Sequence, residues 1–410
     1  MTAAETEAVL KALGQGGAEL RFVGGCVRDA VLGRPIGDVD IATPEPPDLV
    51  IERLTAAGLK AVPTGIAHGT VTAVAGGKAF EITTLRRDVE TFGRHARIAF
   101  TDDWQEDAAR RDFTFNALSC RPNGVLFDYF GGLEDLAAGR VRFVGDARQR
   151  IAEDRLRLLR FFRFLAWYGR AGPDPEGLKA ASEAAPELTL LSGERIQAEM
   201  LKLLAAPNPT PTLRLMAQRG VLGHAIPAEG NIERLERLLE IESLAGLTPD
   251  PIRRLGALLQ PDADGILRLA ERWRLSNAAR DRLLAVAAPG PKPDPALSDR
   301  EQRVLLYRMG SLSWADRVLI AWAEALIAGR NEDADRWLQL LTLPTRWPVP
   351  VLPLKGRDLR AVGLKPGPQI GELLAALEAW WIDQDFTPDR QACFDWVKAK
   401  LSADERPDTC

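Results

Sequence analysis

The chain has 410 residues, 46% of them hydrophobic and 27% charged, with a formal net charge of −4 at pH 7. That length exceeds one core and predicts roughly two to four domains of ordinary globular composition, not a disordered chain. The charge excludes a uniformly basic nucleic-acid coat but leaves room for a local basic groove. No window supplies the roughly eighteen uncharged apolar residues of a membrane span. Glu5, Glu7 and Lys11 break the apolar runs near the N-terminus, so no signal peptide is expected. Cys26, Cys120, Cys393 and Cys410 show no CxxC spacing, and the histidines are only His68, His95 and His224. Neither a zinc site, a histidine-rich metal cluster nor a disulfide framework is expected, and a cytoplasmic location follows.

In chain order, LRFV (20–23) predicts a strand, Gly24-Gly25 a turn, and CVRDAVLG (26–33) a helix ending at Gly33 with Pro35 beyond. DVDIA (38–42) predicts a second strand, and DLVIERLTAAG (48–58) an amphipathic helix after Pro46-Pro47. GTVTAVA (69–75) and KAFEITTL (78–85), split by Gly76-Gly77, predict a β-hairpin. The polar, poorly periodic RRDVETFGRHARIAFTDDW (86–104) predicts a mobile loop. From about residue 146 strand signals nearly vanish. ARQRIAEDRLRLLRFFRFLAWYG (147–169) predicts one long helix, ERIQAEMLKLLAA (194–206) another, and helical periodicity continues through 210–285 and 300–342. Pro/Gly-rich stretches at 287–297 and 343–353 predict connectors. The fold class is α+β: a small sheet head followed by an all-helical remainder.

On a strand, Asp38 and Asp40 point to the same side while Val39 turns into the core. Paired carboxylates repel unless a cation sits between them, and Mg²⁺ is held by one or two carboxylates together with phosphate oxygens. Gly24 and Gly25 precede a helix, whose backbone N–H groups and positive end favour an anion. Arg28, one turn in, adds a guanidinium suited to phosphate oxygens, and Asp29 either holds it or caps the turn. A DxD on a strand or a glycine pair before a helix is each common as plain structure. The combination points to a nucleoside triphosphate and its metal.

GGCVRDAVLGRPIGDVD resembles the signature of the class II CCA-adding enzymes and bacterial poly(A) polymerases, nucleotidyltransferases with a polymerase-beta-like head. The resemblance runs in order through AHGT (67–70), FEITTLRRD (80–88), GRHA (93–96), RRDFTFNAL (110–118), EDRLRLLRFFRF (153–164) and ERIQAEMLKLL (194–204). It covers about half the chain densely, with a sparser match in LPLKGRDLRAVGLKPGPQIGELL (352–374). Cys26 departs from the family's usual Ser, Ala or Thr, where a small side chain suffices. The histidines of an HD phosphohydrolase domain are absent, so no such activity is expected.

The resemblance implies template-independent addition of C, C and A to the tRNA 3′ end from CTP and ATP, with Mg²⁺ and release of pyrophosphate. Alternatives are a poly(A) polymerase, a CC-adding or A-adding specialist, or an RNA-binding protein with an inactive head. It implies domains at 1–145 (catalytic head), 146–208 (neck), 209–342 (body) and 343–410 (tail). Asp38 and Asp40 would hold the metal, with Glu81 either a third carboxylate there or a cross-strand partner for Arg86. Gly24, Gly25, Arg28 and Arg111 would hold the triphosphate, and Asp112 and Asn116 would lie near the sugar. Residues 140–170 carry nine arginines against three acids, and Asp154, Arg157, Arg160 and Arg163 recur every three residues as a helical ridge. A carboxylate and a guanidinium one turn apart match the edges of cytosine and adenine and not of guanine or uracil. The resemblance therefore assigns base reading to Asp154 and Arg157, and phosphate or sugar to Arg160 and Arg163. Arg195 and Glu199 can pair at i,i+4, and their segment is expected to brace the neck. In the resembling enzymes a flexible loop at the position of GRHA is associated with the switch from C to A addition. GLKPGPQIGELL either cradles an RNA phosphate or simply opens a helix after Pro368.

Overall fold

The computed structural model describes residues 2–92, 95–228, 230–260, 262–330, 333–361 and 364–404. It divides into two compact units: 1–229 with 249–251 and 268–275, and 230–248 with 252–267 and 276–410. Among the described residues no helix is long and apolar enough to cross a membrane.

The first unit is built on strands β1 (Arg21–Val23), β2 (Val39–Thr43), β3 (Lys60–Gly65), β4 (Thr70–Ala75), β5 (Lys78–Thr84), β6 (Arg86–Phe92), β7 (His95–Phe100), β8 (Ser119–Cys120) and β9 (Leu126–Phe127). Seven form one sheet in the order β3-β4-β5-β2-β1-β8-β9. The predicted hairpin is β4–β5, and β5 also pairs in parallel with β2, placing Asp40 beside Glu81. Strand β2 starts at Val39, so Asp38 lies just ahead of it. Val39 is only half-buried, and Ile41, fully buried, fills the core position instead.

Two expectations are corrected. The segment predicted as a loop after residue 85 pairs as the antiparallel ribbon β6–β7; hydrogen bonding between two polar strands needs no apolar alternation to announce it. Within GRHA, Gly93 and Arg94 lie outside the described residues. The predicted long helix is two, α6 (Ala147–Glu153) and α7 (Leu156–Tyr168). Asp154 breaks it with extended backbone (φ −148°, ψ 106°), and its carboxylate accepts from the Leu156 amide at 3.1 Å. A side chain that satisfies a free first-turn amide starts a new helix there. Asp154 therefore stands at the head of α7, and only Arg157, Arg160 and Arg163 form the helical ridge.

Helix α7 docks through the aromatic row beside this ridge. Phe161 and Phe164 pack on Phe113, Phe115 and Phe143, with ring centroids 5.2–6.4 Å apart. Each buried phenylalanine stabilises by about 1.5–3 kcal/mol, so the RRDFTF segment and α7 are locked together. Helix α8 (Pro175–Glu183) and helix α9 (Gly193–Leu204) pack beside α7.

In the described part of the second unit no strand occurs. Helices Ile232–Leu244 and Ser311–Ile327 pack together, and buried Arg234 donates to the Ala257 carbonyl (2.7 Å) and to Glu324 (2.9 Å). Leu354, Leu359, Leu373, Leu377, Trp381, Cys393 and Val397 form a separate core near the C-terminus. Pro368 opens the helix Pro368–Asp383 in the N1 position; Gly363 lies outside the described residues.

Candidate active site

All thirteen site residues expected from the sequence line one cleft of about 1100 Å³ in the first unit. Two cavities of the second unit, about 580 and 260 Å³, contain none of them. Strand β5 lies between β2 and β4, so Glu81 has Asp40 on one side and Thr72 on the other, and all three line the cleft. The Arg86 guanidinium donates to the His68 carbonyl. Burial, then the neighbouring charges of Glu81 and Asp38, push the Asp40 carboxyl up to about 6, against a partial offset from Arg111. Such a corner has surplus negative charge that a hard cation would relieve. Among the described residues no group of three His, Cys, Asp or Glu side chains converges as a complete metal site. An ion held by Asp38 and Asp40 would have to take its remaining ligands from phosphate and water.

The turn after β1 supplies the second wall. Gly24 holds φ +72° and ψ −129°, and a Cβ there would lie 3.1 Å from Arg111 Nη1. Its amide is already bonded to the Leu118 carbonyl (3.3 Å), so of the glycine pair only the Gly25 amide, first in helix α2 (Gly25–Val31), remains for a ligand. Arg28 donates twice to Asp29 (3.0 and 2.8 Å) and once to Asn116 Oδ1 (2.8 Å), and stacks 4.5 Å from the Tyr168 ring centroid. Three of a guanidinium's five N–H groups are thus used for aiming, and two remain for an oxyanion. Cys26 Sγ donates to the Val23 carbonyl (3.3 Å), and burial pushes its thiol pKa up, so it behaves as a small apolar residue.

Asp112 is the hub of the third wall. Its carboxylate accepts from the Phe113 amide (2.9 Å), Asn116 Nδ2 (3.0 Å) and Arg160 Nε (2.6 Å). Burial alone would raise its pKa, but the Arg160 charge and these bonds hold it below the usual range. Arg111 Nη2 donates to Asp107 at 3.1 Å.

The fourth wall is the α6–α7 break with α9. Arg195 donates to both Asp154 oxygens (3.0 and 2.8 Å), and Glu199 lies 3.0 Å from Arg163 Nε. Of the two readings of this segment, the local i,i+4 pair gives way to two ties from α9 to the α7 region, as a brace would make. A long-range partner in a buried site outcompetes a solvated local one. Arg157 bonds Glu153 (2.6 Å) and the carbonyls of Arg150 (3.1 Å) and Arg110 (3.0 Å). Burial lowers the Arg163 pKa, despite Glu199, and its guanidinium lies 4.2 Å from the Phe164 ring centroid. Sequence reasoning did not place Arg110, Phe164, Arg195 or Lys202 in the cleft. The seven-residue spacing of Arg195 and Lys202, two turns on one helix face, was the signal available for that pair.

A family described as "Poly A polymerase head domain" matches residues 20–142, and "Probable RNA and SrmB- binding site of polymerase A" matches 173–229. The mouse mitochondrial CCA tRNA nucleotidyltransferase 1 is 35% identical over 387 residues, covering 93% of this chain and 86% of that protein. The chain belongs to the CCA-adding tRNA nucleotidyltransferase family. The CCA-adding enzyme of Geobacillus stearothermophilus, another member, is 32% identical over 98% of both chains. The crystal structure of the Bacillus stearothermophilus CCA-adding enzyme in complex with CTP superposes with a TM-score of 0.75 at 29% identity, covering 98% of each chain.

Proposed function

We propose that this protein adds C, C and A to the 3′ end of tRNA without a nucleic-acid template, using CTP and ATP and releasing pyrophosphate. One observation carries the reading: in a chain of this family, paired carboxylates, a glycine turn with an aimed arginine, and an arginine-lined helix face a single cleft.

Asp38 and Asp40 would hold Mg²⁺, and Glu81 adds the third negative charge of that corner. Bound there, the ion supplies charge neutralisation for the triphosphate and activation of the attacking hydroxyl. The Gly25 amide and the two spare N–H groups of Arg28 receive phosphate oxygens, with Arg111 beside them. The tRNA 3′-oxygen attacks the α-phosphorus, the bond to the β-phosphate breaks, and pyrophosphate leaves. This chemistry needs placement and charge more than covalent help.

Base choice falls to Asp154 and Arg157. Cytosine and adenine each present an amino donor beside a ring-nitrogen acceptor, complementary to a carboxylate and a guanidinium. Guanine and uracil reverse that order. Arg195 and the Leu156 amide fix the Asp154 carboxylate, and Glu153 with two carbonyls fixes Arg157. The pair is therefore pre-oriented, as a protein template requires. Asp112 aims Asn116 and Arg160 toward the sugar and phosphates, and Glu199 does the same for Arg163. We assign chemistry to the head (1–145), base selection to the neck (146–208), and shape and phosphate recognition of the tRNA to the body (209–342) and tail (343–410). A cytoplasmic site of action accords with the free thiols of Cys26, Cys120 and Cys393.

The test is incubation of purified protein with a tRNA ending before CCA. CTP alone should extend it by two residues, and CTP with ATP by three, then stop. ATP-only tailing of unrelated RNA would indicate a poly(A) polymerase instead.

A further inference from the structure

Asp107 lies in helix α4 (Trp104–Ala109), inside the acidic run TDDWQEDAARRD, and is 3% exposed. Its Oδ1 accepts from the Arg86 backbone amide (3.2 Å) and from Arg110 Nε and Nη2 (3.0 and 2.6 Å), and its Oδ2 accepts from Arg111 Nη2 (3.1 Å). Arg110 Nε also donates to the Arg86 carbonyl (3.1 Å), while the Arg110 carbonyl accepts from Arg157 (3.0 Å). One carboxylate thus joins the first residue of β6 to two consecutive arginines of the cleft wall. Burial would raise its pKa, but the two guanidiniums hold it below the usual carboxylate range, so it stays ionised.

We infer that Asp107 is a positioning residue for nucleotide binding: it fixes the Arg111 guanidinium at the triphosphate end of the cleft without touching substrate. The inference rests on the assignment of Arg111 to phosphate given above. Its geometry is specific. With Oδ2 spent on one Nη2 hydrogen, Arg111 Nη1 is left 3.1 Å from where a Gly24 Cβ would stand, beside the glycine turn. A guanidinium anchored at one edge presents its other edge in a fixed plane, which suits a tetrahedral phosphate. Since the phosphates are common to CTP and ATP, Asp107 should influence both equally and leave base choice unchanged.

The experiment uses Asp107→Asn, which keeps an acceptor for the Arg86 amide but removes the charge, and Asp107→Glu, which keeps the charge but moves it by one methylene. Expected for the Asn variant is a KM increase for CTP and ATP by the same factor, on the order of tenfold, with the KM for tRNA unchanged. The Glu variant, whose carboxylate satisfies both arginines, should fold and raise both nucleotide KM values less. Combined with Arg111→Lys, the Asn variant should give less than the product of the single effects, because both act through one contact. Wild-type nucleotide KM values in both variants, with only a lowered melting temperature, would overturn the inference. So would a fully multiplicative double variant. A wild-type protein that extends no tRNA would instead sink the functional reading itself.

Discussion

Gly24→Ala and Gly25→Ala add the same methyl at adjacent positions and are expected to fail differently. Gly24 holds φ +72° and ψ −129°, and an added Cβ would stand 3.1 Å from Arg111 Nη1. A side chain in such a backbone region costs about 1–3 kcal/mol. For a unit of this size each kcal/mol moves the melting temperature by about 2–4 °C, so a fall from a few to about 10 °C is expected. At Gly25 the backbone is helical and the nearest atom to an added Cβ is Arg28 Nη2, at an ordinary 3.6 Å. Replacing glycine there gains about 0.4–1 kcal/mol through the unfolded state, so the melting temperature should hold or rise slightly. Both variants should bind CTP more weakly. Gly24→Ala displaces Arg111, and Gly25→Ala crowds the one amide of the pair left for a phosphate. Calorimetry and single-nucleotide incorporation at varied CTP measure the two effects separately. A Gly25→Ala protein that is as unstable as Gly24→Ala, or that binds CTP like wild type, would refute the assigned role of this turn.

Three further outcomes are expected. Asp112→Ala leaves Arg160 without its buried carboxylate, and breaking such a pair costs about 3–5 kcal/mol, readable as a lower urea midpoint; an unchanged midpoint would contradict the hub described here. For Asp40, raised from 3.8 to about 6, the native state keeps a proton between those pH values that the unfolded chain has released. Metal-free stability therefore falls as pH rises through that window, and Asp40→Asn should abolish that part of the slope; parallel melting curves for the two proteins would count against it. Arg157→Lys keeps the charge but loses the fork, so CTP-versus-ATP choice should suffer more than total incorporation, whereas an equal loss for both nucleotides would remove Arg157 from base reading.

The catalytic corner was legible because its chemistry demands particular residue types at short range: a glycine pair, Arg28, and Asp38 with Asp40. That Glu81 joins it depends on the parallel pairing of β2 with β5 across an intervening helix and hairpin, which no local pattern encodes. The α6–α7 break was missed because apolar periodicity continues straight through Glu153-Asp154-Arg155. The decisive signal was a capping aspartate whose amide partner lies two residues on. Partner choice was also illegible where local and distant options compete, as with Arg195, which leaves the nearby Glu199 for Asp154. Asp107 was hidden beside the exposed Asp102 and Asp103, from which only burial separates it.

The most direct test is a crystal structure of this protein with CTP and Mg²⁺. The triphosphate is expected between the Gly25 amide and Arg28, with the cation at Asp38 and Asp40 and the cytosine edge on Asp154 and Arg157. Nucleotide density away from this cleft, or a base that meets neither Asp154 nor Arg157, would contradict the account.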